Sequence, residues 1–215
     1  MKRELVENIG VNQSDIEVIY NPIVTPDIEP KSREPVDHPW FDDTDVPVIL
    51  GVGRLTQQKD FPTLMRAFAT LLNHRDARLV ILGEGSDREH LEALATELRI
   101  EDKIELLGYV DNPYKYMRRA DVFALSSAWE GFGNVIVEAM ACGTTVVSTN
   151  CESGPAEILM NEKYGFLAPV QDETVFCEKL IEALANPFNS DVVQDRAADF
   201  DRDQIMPQYE RCLFE

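Results

Sequence analysis

The chain has 215 residues and a formal net charge of −19, with 44% apolar residues to build a core. That length allows one substantial α/β domain with arms, and the acidity speaks against nucleic acid or an anionic membrane surface as a direct partner. No apolar run reaches the roughly 18 residues of a membrane span, and no signal-peptide core follows Met1-Lys-Arg-Glu-Leu5. The cysteines, Cys142, Cys151, Cys177 and Cys212, lack CxxC spacing and are expected as free thiols of a cytoplasmic protein.

Met1 to Gly10 has a weak helical pattern, and the alternation Ile16-Glu-Val-Ile-Tyr20 predicts a short strand ended by Asn21-Pro22. A proline-rich acidic connector follows to Pro47, inside which His38-Pro-Trp-Phe41 is expected to tuck an aromatic anchor onto the domain. Regular alternation starts at Val46. The predicted strands are 46–52, 78–82, 103–107, 122–125, 144–148 and 164–168. The predicted helices are 60–73, 87–98, 113–119, 134–142, 154–159 and 173–185, with one or two more from Asp191 to Phe214. The expected organisation is a lead-in over 1–45, a domain over 46–188 and a helical tail over 189–215. Near-continuous apolar strands alternating with helices predict a doubly wound parallel sheet, Rossmann-like, with ligands at the carboxyl ends of its strands.

The stretch Ser126 to Gly143 carries the strongest functional signal. A buried strand turns through Glu130-Gly-Phe-Gly133 into an apolar helix, for which Asn134 is the expected N-cap. Free N–H groups and the positive helix end favour a phosphate there, and Gly131 and Gly133 permit close approach. Glu138 is the one carboxylate in the apolar helix and can lean back toward the helix mouth and Glu130. Two carboxylates beside an anion site suit hydrogen bonds from sugar or ribose hydroxyls. The competing reading has Glu130 capping its own turn and Glu138 paired with a buried Arg or Lys.

Two cations stand on the first strand's exit loop, Gly53-Arg54-Leu-Thr-Gln-Gln-Lys59. The loop lacks the third glycine of a dinucleotide fingerprint and the Lys-Ser/Thr of a P-loop. Arg54 and Lys59 suit a diphosphate or, alternatively, are two solvated surface cations. Gly83-Glu-Gly85 is a weak signal, since strand-exit glycines commonly serve tight turns. Tyr109-Val110 could border a nucleobase or a core edge, and the helix Tyr114 to Arg119 reads as merely amphipathic. No Ser-His triad or histidine–carboxylate metal cluster is readable.

Together, Val52-Gly-Arg-Leu55, Lys59, Ile81-Leu-Gly-Glu-Gly85, Leu107-Gly-Tyr-Val110 and Glu130-Gly-Phe-Gly-Asn-Val-Ile-Val-Glu138 resemble a known family. This is the nucleotide-binding, C-terminal half of retaining GT-B glycosyltransferases of family 4, the group 1 glycosyl transferases. Ser153-Gly-Pro-Ala-Glu-Ile-Leu159 and Tyr164-Gly-Phe-Leu-Ala-Pro169 extend the match. The seven residues between Glu130 and Glu138 are the hallmark.

The resemblance implies a metal-independent donor site without cofactor, binding a nucleotide-diphosphate sugar, UDP-linked by analogy, for polysaccharide synthesis. It assigns the donor diphosphate to Gly53, Arg54 and Lys59, with the N–H groups of Phe132, Gly133, Asn134 and Val135 sharing that task. Glu138 would take the ribose hydroxyls, Glu130 the transferred sugar, and Tyr109 and Val110 the base, with Gly83 nearby. It also implies an acceptor-binding domain before Met1, with residues 1–20 as that domain's last helix leading into the interdomain crossing and the tail from about Gln204 returning to it. The chain thus reads as half an enzyme, inactive alone: a fragment, a truncated gene product or one chain of a split pair, with a homodimer through exposed apolar surface left open. A nucleotide-sugar binding module without transfer is the alternative, and a nucleotide-sugar epimerase is a third.

Overall fold

The computed structural model describes residues 8–42 and 45–214. Among these, six strands form one sheet: β1 Val48–Val52, β2 Arg78–Leu82, β3 Ile104–Gly108, β4 Val122–Leu125, β5 Thr145–Thr149 and β6 Phe166–Ala168. All neighbouring pairs are parallel, in the order β3-β2-β1-β4-β5-β6. The helices are α1 Ile28–Ser32, α2 Phe61–Leu71, α3 Arg88–Leu98, α4 Tyr114–Arg119, α5 Asn134–Ala141, α6 Pro155–Ile158, α7 Glu173–Ala185, α8 Ser190–Ala197 and α9 Arg202–Phe214.

Successive strand residues point to opposite faces, and both faces are buried. Ile49, Leu79, Ile81, Val122 and Val147 pack under α2, α3 and α7. Leu50, Val80, Leu82, Phe123 and Val146 pack under α4, α5 and α8. This is the doubly wound Rossmann-like arrangement that the alternation predicts. Strand order reverses between β1 and β4, so the exit loops of these two strands diverge and leave a crevice at the sheet's carboxyl edge.

Local chemistry sets the helix ends. The Asp172 carboxylate accepts from the Val175 N–H at 3.0 Å to start α7, and the Asn189 side chain accepts from the Asp191 N–H at 2.8 Å to start α8. Gly143, at φ +84°, ends α5 in the left-handed geometry that glycine permits. The tail starts inside the core: Val193, Ala197 and Phe200 are fully buried.

Three expectations change. Ile16–Tyr20 forms no strand; the segment runs extended over the domain, and the chain pairs instead at Val24 and Asp201. Its burial does not follow the alternation: Ile16, Ile19 and Tyr20 are half-buried while Glu17 and Val18 are exposed. The connector is more ordered than its prolines suggest. It contains α1 and a helical turn at Pro39–Phe41, and it buries Ile28, Val36 and His38. Phe41 meets Tyr116 edge-on at 5.4 Å, the expected aromatic anchor. Finally, the N-cap of α5 is Gly133, left-handed at φ +92°, and Asn134 is the first helical residue. The pattern read over Met1–Gly10 lies mostly outside the described residues.

Candidate functional site

The carboxyl edge is laced together before any ligand is considered. The Ala128 N–H donates to the Gln58 carbonyl at 2.8 Å, and the Gln58 side chain donates to the Trp129 carbonyl at 3.1 Å. Ser126 Oγ donates to the Lys59 carbonyl at 2.9 Å, and buried Thr149 donates to the Ser127 carbonyl at 2.5 Å. The exits of β1, β4 and β5 therefore form one rigid floor.

On that floor Lys59 Nζ lies 2.5 Å from Glu130 Oε1, with side chains 13% and 8% exposed. Ser127 Oγ donates to the same carboxylate oxygen at 2.7 Å. Gly53 makes room for this lysine: a Cβ there would sit 3.0 Å from Lys59 Cε. The resulting pair is charge-assisted and largely dry, so neither partner is cheaply lost.

Beside the pair, the N-terminus of α5 opens into a cleft of about 930 Å³ lined by Lys59, residues 130–135, Glu138, segment 16–21 and residues 152–154 and 157. Among the described residues, the backbone N–H groups from Gly131 to Val135 donate to no protein acceptor. A Cβ on Gly131 would meet nothing within 4 Å, so this backbone faces open space. The cleft thus combines free donors, a positive helix end and a fixed lysine, features that favour an anion.

Glu138 borders the same cleft. Among the described residues it makes no ion pair; its neighbour is the Tyr114 hydroxyl, 3.5 Å from Oε1. Burial pushes its carboxyl above the ordinary range. The Tyr114 phenol is pushed up to about 12, by burial and then by the Glu138 charge, and the Cys142 thiol likewise to about 12. A half-buried carboxylate with no cation, aimed at a cleft, is an acceptor awaiting donors.

The structure brings Lys59, Glu130, Gly131, Phe132, Gly133, Asn134, Val135 and Glu138 together in one cleft. Arg54 is on the same loop as Lys59 but exposed and outside the cleft lining. Tyr109, 75% exposed, and Val110 follow β3, the edge strand, and are not among the residues that line the cleft. Gly83 has a packing reason: at φ +143°, a Cβ there would lie 1.9 Å from the Gly53 carbonyl oxygen. Sequence reasoning missed Tyr114, which it read as plain amphipathic helix, and the Tyr20-Asn21 pair, which it placed at the end of a strand.

The sequence profile described as Glycosyl transferases group 1 matches residues 33–200. The chain belongs to this family. It is 40% identical over 170 residues to an N-acetylgalactosamine-N,N'-diacetylbacillosaminyl-diphospho-undecaprenol 4-alpha-N-acetylgalactosaminyltransferase of Campylobacter jejuni, a match covering 79% of this chain and 44% of that protein. It is 32% identical over 208 residues to the lipopolysaccharide core biosynthesis glycosyltransferase LpsE of Rhizobium meliloti, covering 97% of this chain and 57% of that one. The group 1 chain therefore spans about half the length of the curated relatives it matches. Among solved structures it is similar to the apo form of the lipopolysaccharide outer core galactosyltransferase WaaB, with TM-score 0.80 and 26% identity over 99% of this chain and 59% of that one. The fold is also shared with Anabaena HepE in complex with UDP and glucose, at TM-score 0.81 and 23% identity, covering 99% and 60%.

Proposed function

We propose that this domain holds the donor of a retaining, family 4 glycosyl transfer: a nucleotide-diphosphate sugar, UDP-linked. Glu138 carries the reading. It is a carboxylate desolvated on the cleft wall without a cation, within one helical turn or so of an anion-binding helix end. Ribose hydroxyls donating to it would relieve its burial while the diphosphate sits on the N–H groups of residues 132–135. Lys59, with Arg54 folding in from the rim, neutralises charge on the diphosphate as the sugar–oxygen bond breaks and the nucleotide leaves. Positive charge in the site then comes from side chains and backbone, with no metal needed. Glu130, fixed by Lys59 and Ser127, accepts from a hydroxyl of the transferred sugar and orients it.

The HepE structures hold UDP, with glucose or as UDP-glucose, on the same fold, and the Campylobacter relative's name specifies a lipid-linked acceptor. We extend both to this chain: a UDP-sugar donor and a lipid-linked or lipopolysaccharide-type acceptor, with the acceptor site outside these residues and the chemistry on the cytoplasmic side. Calorimetric titration of UDP, GDP and ADP into wild type, Arg54→Ala and Glu138→Ala tests the reading. UDP should bind preferentially, and each variant should weaken it about tenfold or more, the worth of one charge-assisted hydrogen bond. Absence of binding by all three at millimolar concentration overturns it.

A further inference from the structure

The loop that presents the free N–H groups holds itself poorly. Its amides donate to no protein acceptor among the described residues, a Cβ on Gly131 would meet nothing within 4 Å, and Gly133 is left-handed. Such a loop is mobile unless side chains outside it fix it. Three contacts from one distant segment do so. The Tyr20 ring lies 5.4 Å from that of Phe132, the apolar residue at the loop's centre, and both pack on fully buried Phe200, at 5.3 and 5.7 Å. The Tyr20 hydroxyl donates to Glu157 Oε1 at 2.5 Å, tying in α6 on the other side of the cleft. The Asn21 side chain donates to Asn134 Oδ1 at 3.0 Å, at the first residue of α5.

The segment making these contacts is itself pinned. The Ile23 and Val24 N–H groups donate to the Phe200 carbonyl at 3.0 and 3.1 Å, and the Arg202 N–H donates to the Val24 carbonyl at 2.9 Å. Arg196 stacks over Phe200 at 4.8 Å and donates to the Ile158 and Glu157 carbonyls, both at 2.9 Å.

We infer that Tyr20 and Asn21 are positioning residues: the extended segment 16–24 is a strap that holds loop 130–134 with its N–H groups converged on the anion position. The consequence for diphosphate affinity rests on the donor-site reading above; the strap itself does not. Preorganised donors bind without the entropy loss of ordering, so loosening the strap weakens the anion while leaving the sheet intact.

Hydrogen exchange of the full chain, read by mass spectrometry on wild type, Tyr20→Ala, Tyr20→Phe and Asn21→Ala, tests this, with UDP titrated into each. The Ile136 amide, which donates to the Gly133 carbonyl, and the amides of the following turn of α5 should exchange about tenfold faster in Tyr20→Ala and Asn21→Ala, as expected on losing an aromatic or side-chain anchor. Amides of β1 and β4 should be unchanged, and Tyr20→Phe, which keeps the ring, should recover most of the protection. UDP affinity should fall by a similar factor in the two alanine variants. Unchanged exchange at Ile136 and the following turn of α5, or uniform acceleration through the sheet, overturns the strap. If wild type binds no UDP but the local exchange effect appears, the strap stands and the donor reading fails. If UDP binds equally to all four proteins, the link from strap to affinity is overturned.

Discussion

Glu138→Gln should make the empty protein more stable and the liganded one less so. In the empty cleft the carboxylate is half-buried, its nearest partner is a Tyr114 hydroxyl at the 3.5 Å limit of a hydrogen bond, and burial raises its pKa. Glutamine keeps the shape and an acceptor and removes the charge. Relief of this kind is worth about 0.5–2 kcal/mol, or about 1–8 °C in Tm for a chain of this size. With UDP at a hundred times Kd, wild type gains about 2.7 kcal/mol by mass action. The variant, lacking charge-assisted acceptance from the ribose hydroxyls worth about 1.5–3 kcal/mol, binds about ten- to a hundredfold more weakly. Thermal melts with and without UDP read both effects, and the order of the two proteins should invert on adding ligand. A variant less stable than wild type in the empty state would show that Glu138 is a satisfied structural carboxylate, and unaltered UDP affinity would remove it from the site.

The same pair has a pH signature. A carboxyl whose folded pKa is raised binds protons more readily folded than unfolded. Its penalty is therefore absent below the unfolded value of about 4.3 and complete above the folded one. Wild-type stability relative to Glu138→Gln should fall as pH rises through that window, and the gap should close in acid. Urea titrations of both proteins across the window measure it.

Lys59→Ala should cost about 3–5 kcal/mol by stranding a buried Glu130 charge, and Glu130→Gln added to it should restore much of the loss, as measured by denaturant unfolding. Gly154→Ala and Gly131→Ala should separate fold from site. At Gly154, φ +107°, a Cβ would lie 1.7 Å from the Phe132 carbonyl oxygen, so the alanine should cost about 3 kcal/mol or more and disturb the loop. At Gly131 nothing lies within 4 Å, so stability should stay within about 0.5 kcal/mol while UDP, approaching that backbone, binds more weakly. Unchanged UDP affinity in Gly131→Ala would move the anion elsewhere.

The regular part of the fold was legible because its signals are local. β2, β4 and α7 fall on residues 78–82, 122–125 and 173–185 as read, each a continuous apolar run or a full helical period with clear ends. What was not legible depends on partners far along the chain. Ile16–Tyr20 alternates like a strand, yet it is a strap on Phe132 and Phe200, contacts no local pattern encodes. Gly83, placed near the base by resemblance alone, and Gly85 have a packing reason that a bare glycine pair does not reveal: their hydrogens face the carbonyl oxygens of Gly53 and Leu55. In the site, Glu138 stood out because a lone carboxylate breaks an apolar helix. Tyr114 did not, because a tyrosine on an amphipathic helix breaks nothing.

The cleft poses an electrostatic problem whose solution accounts for its backbone. Glu17, Glu130, Glu138, Glu152 and Glu157 line it with Lys59, within a chain of net charge −19, yet the proposed ligand is a diphosphate. Adding cationic side chains is a poor answer, and Lys59 shows why: in the empty site it is already taken by Glu130 at 2.5 Å. Any further lysine would pair with a neighbouring glutamate and have to be freed before it could serve the ligand. Backbone N–H groups cannot swing away to a carboxylate in this manner. A glycine-bearing loop with unpaired amides at a helix end supplies attraction that the glutamates do not quench, provided something else holds the loop still. On this argument the glutamates proposed to take hydroxyls, the bare amides proposed to take phosphate and the aromatic strap behind them form one device. Weakening the strap should therefore hurt anion affinity more than adding a lysine to the cleft would help it.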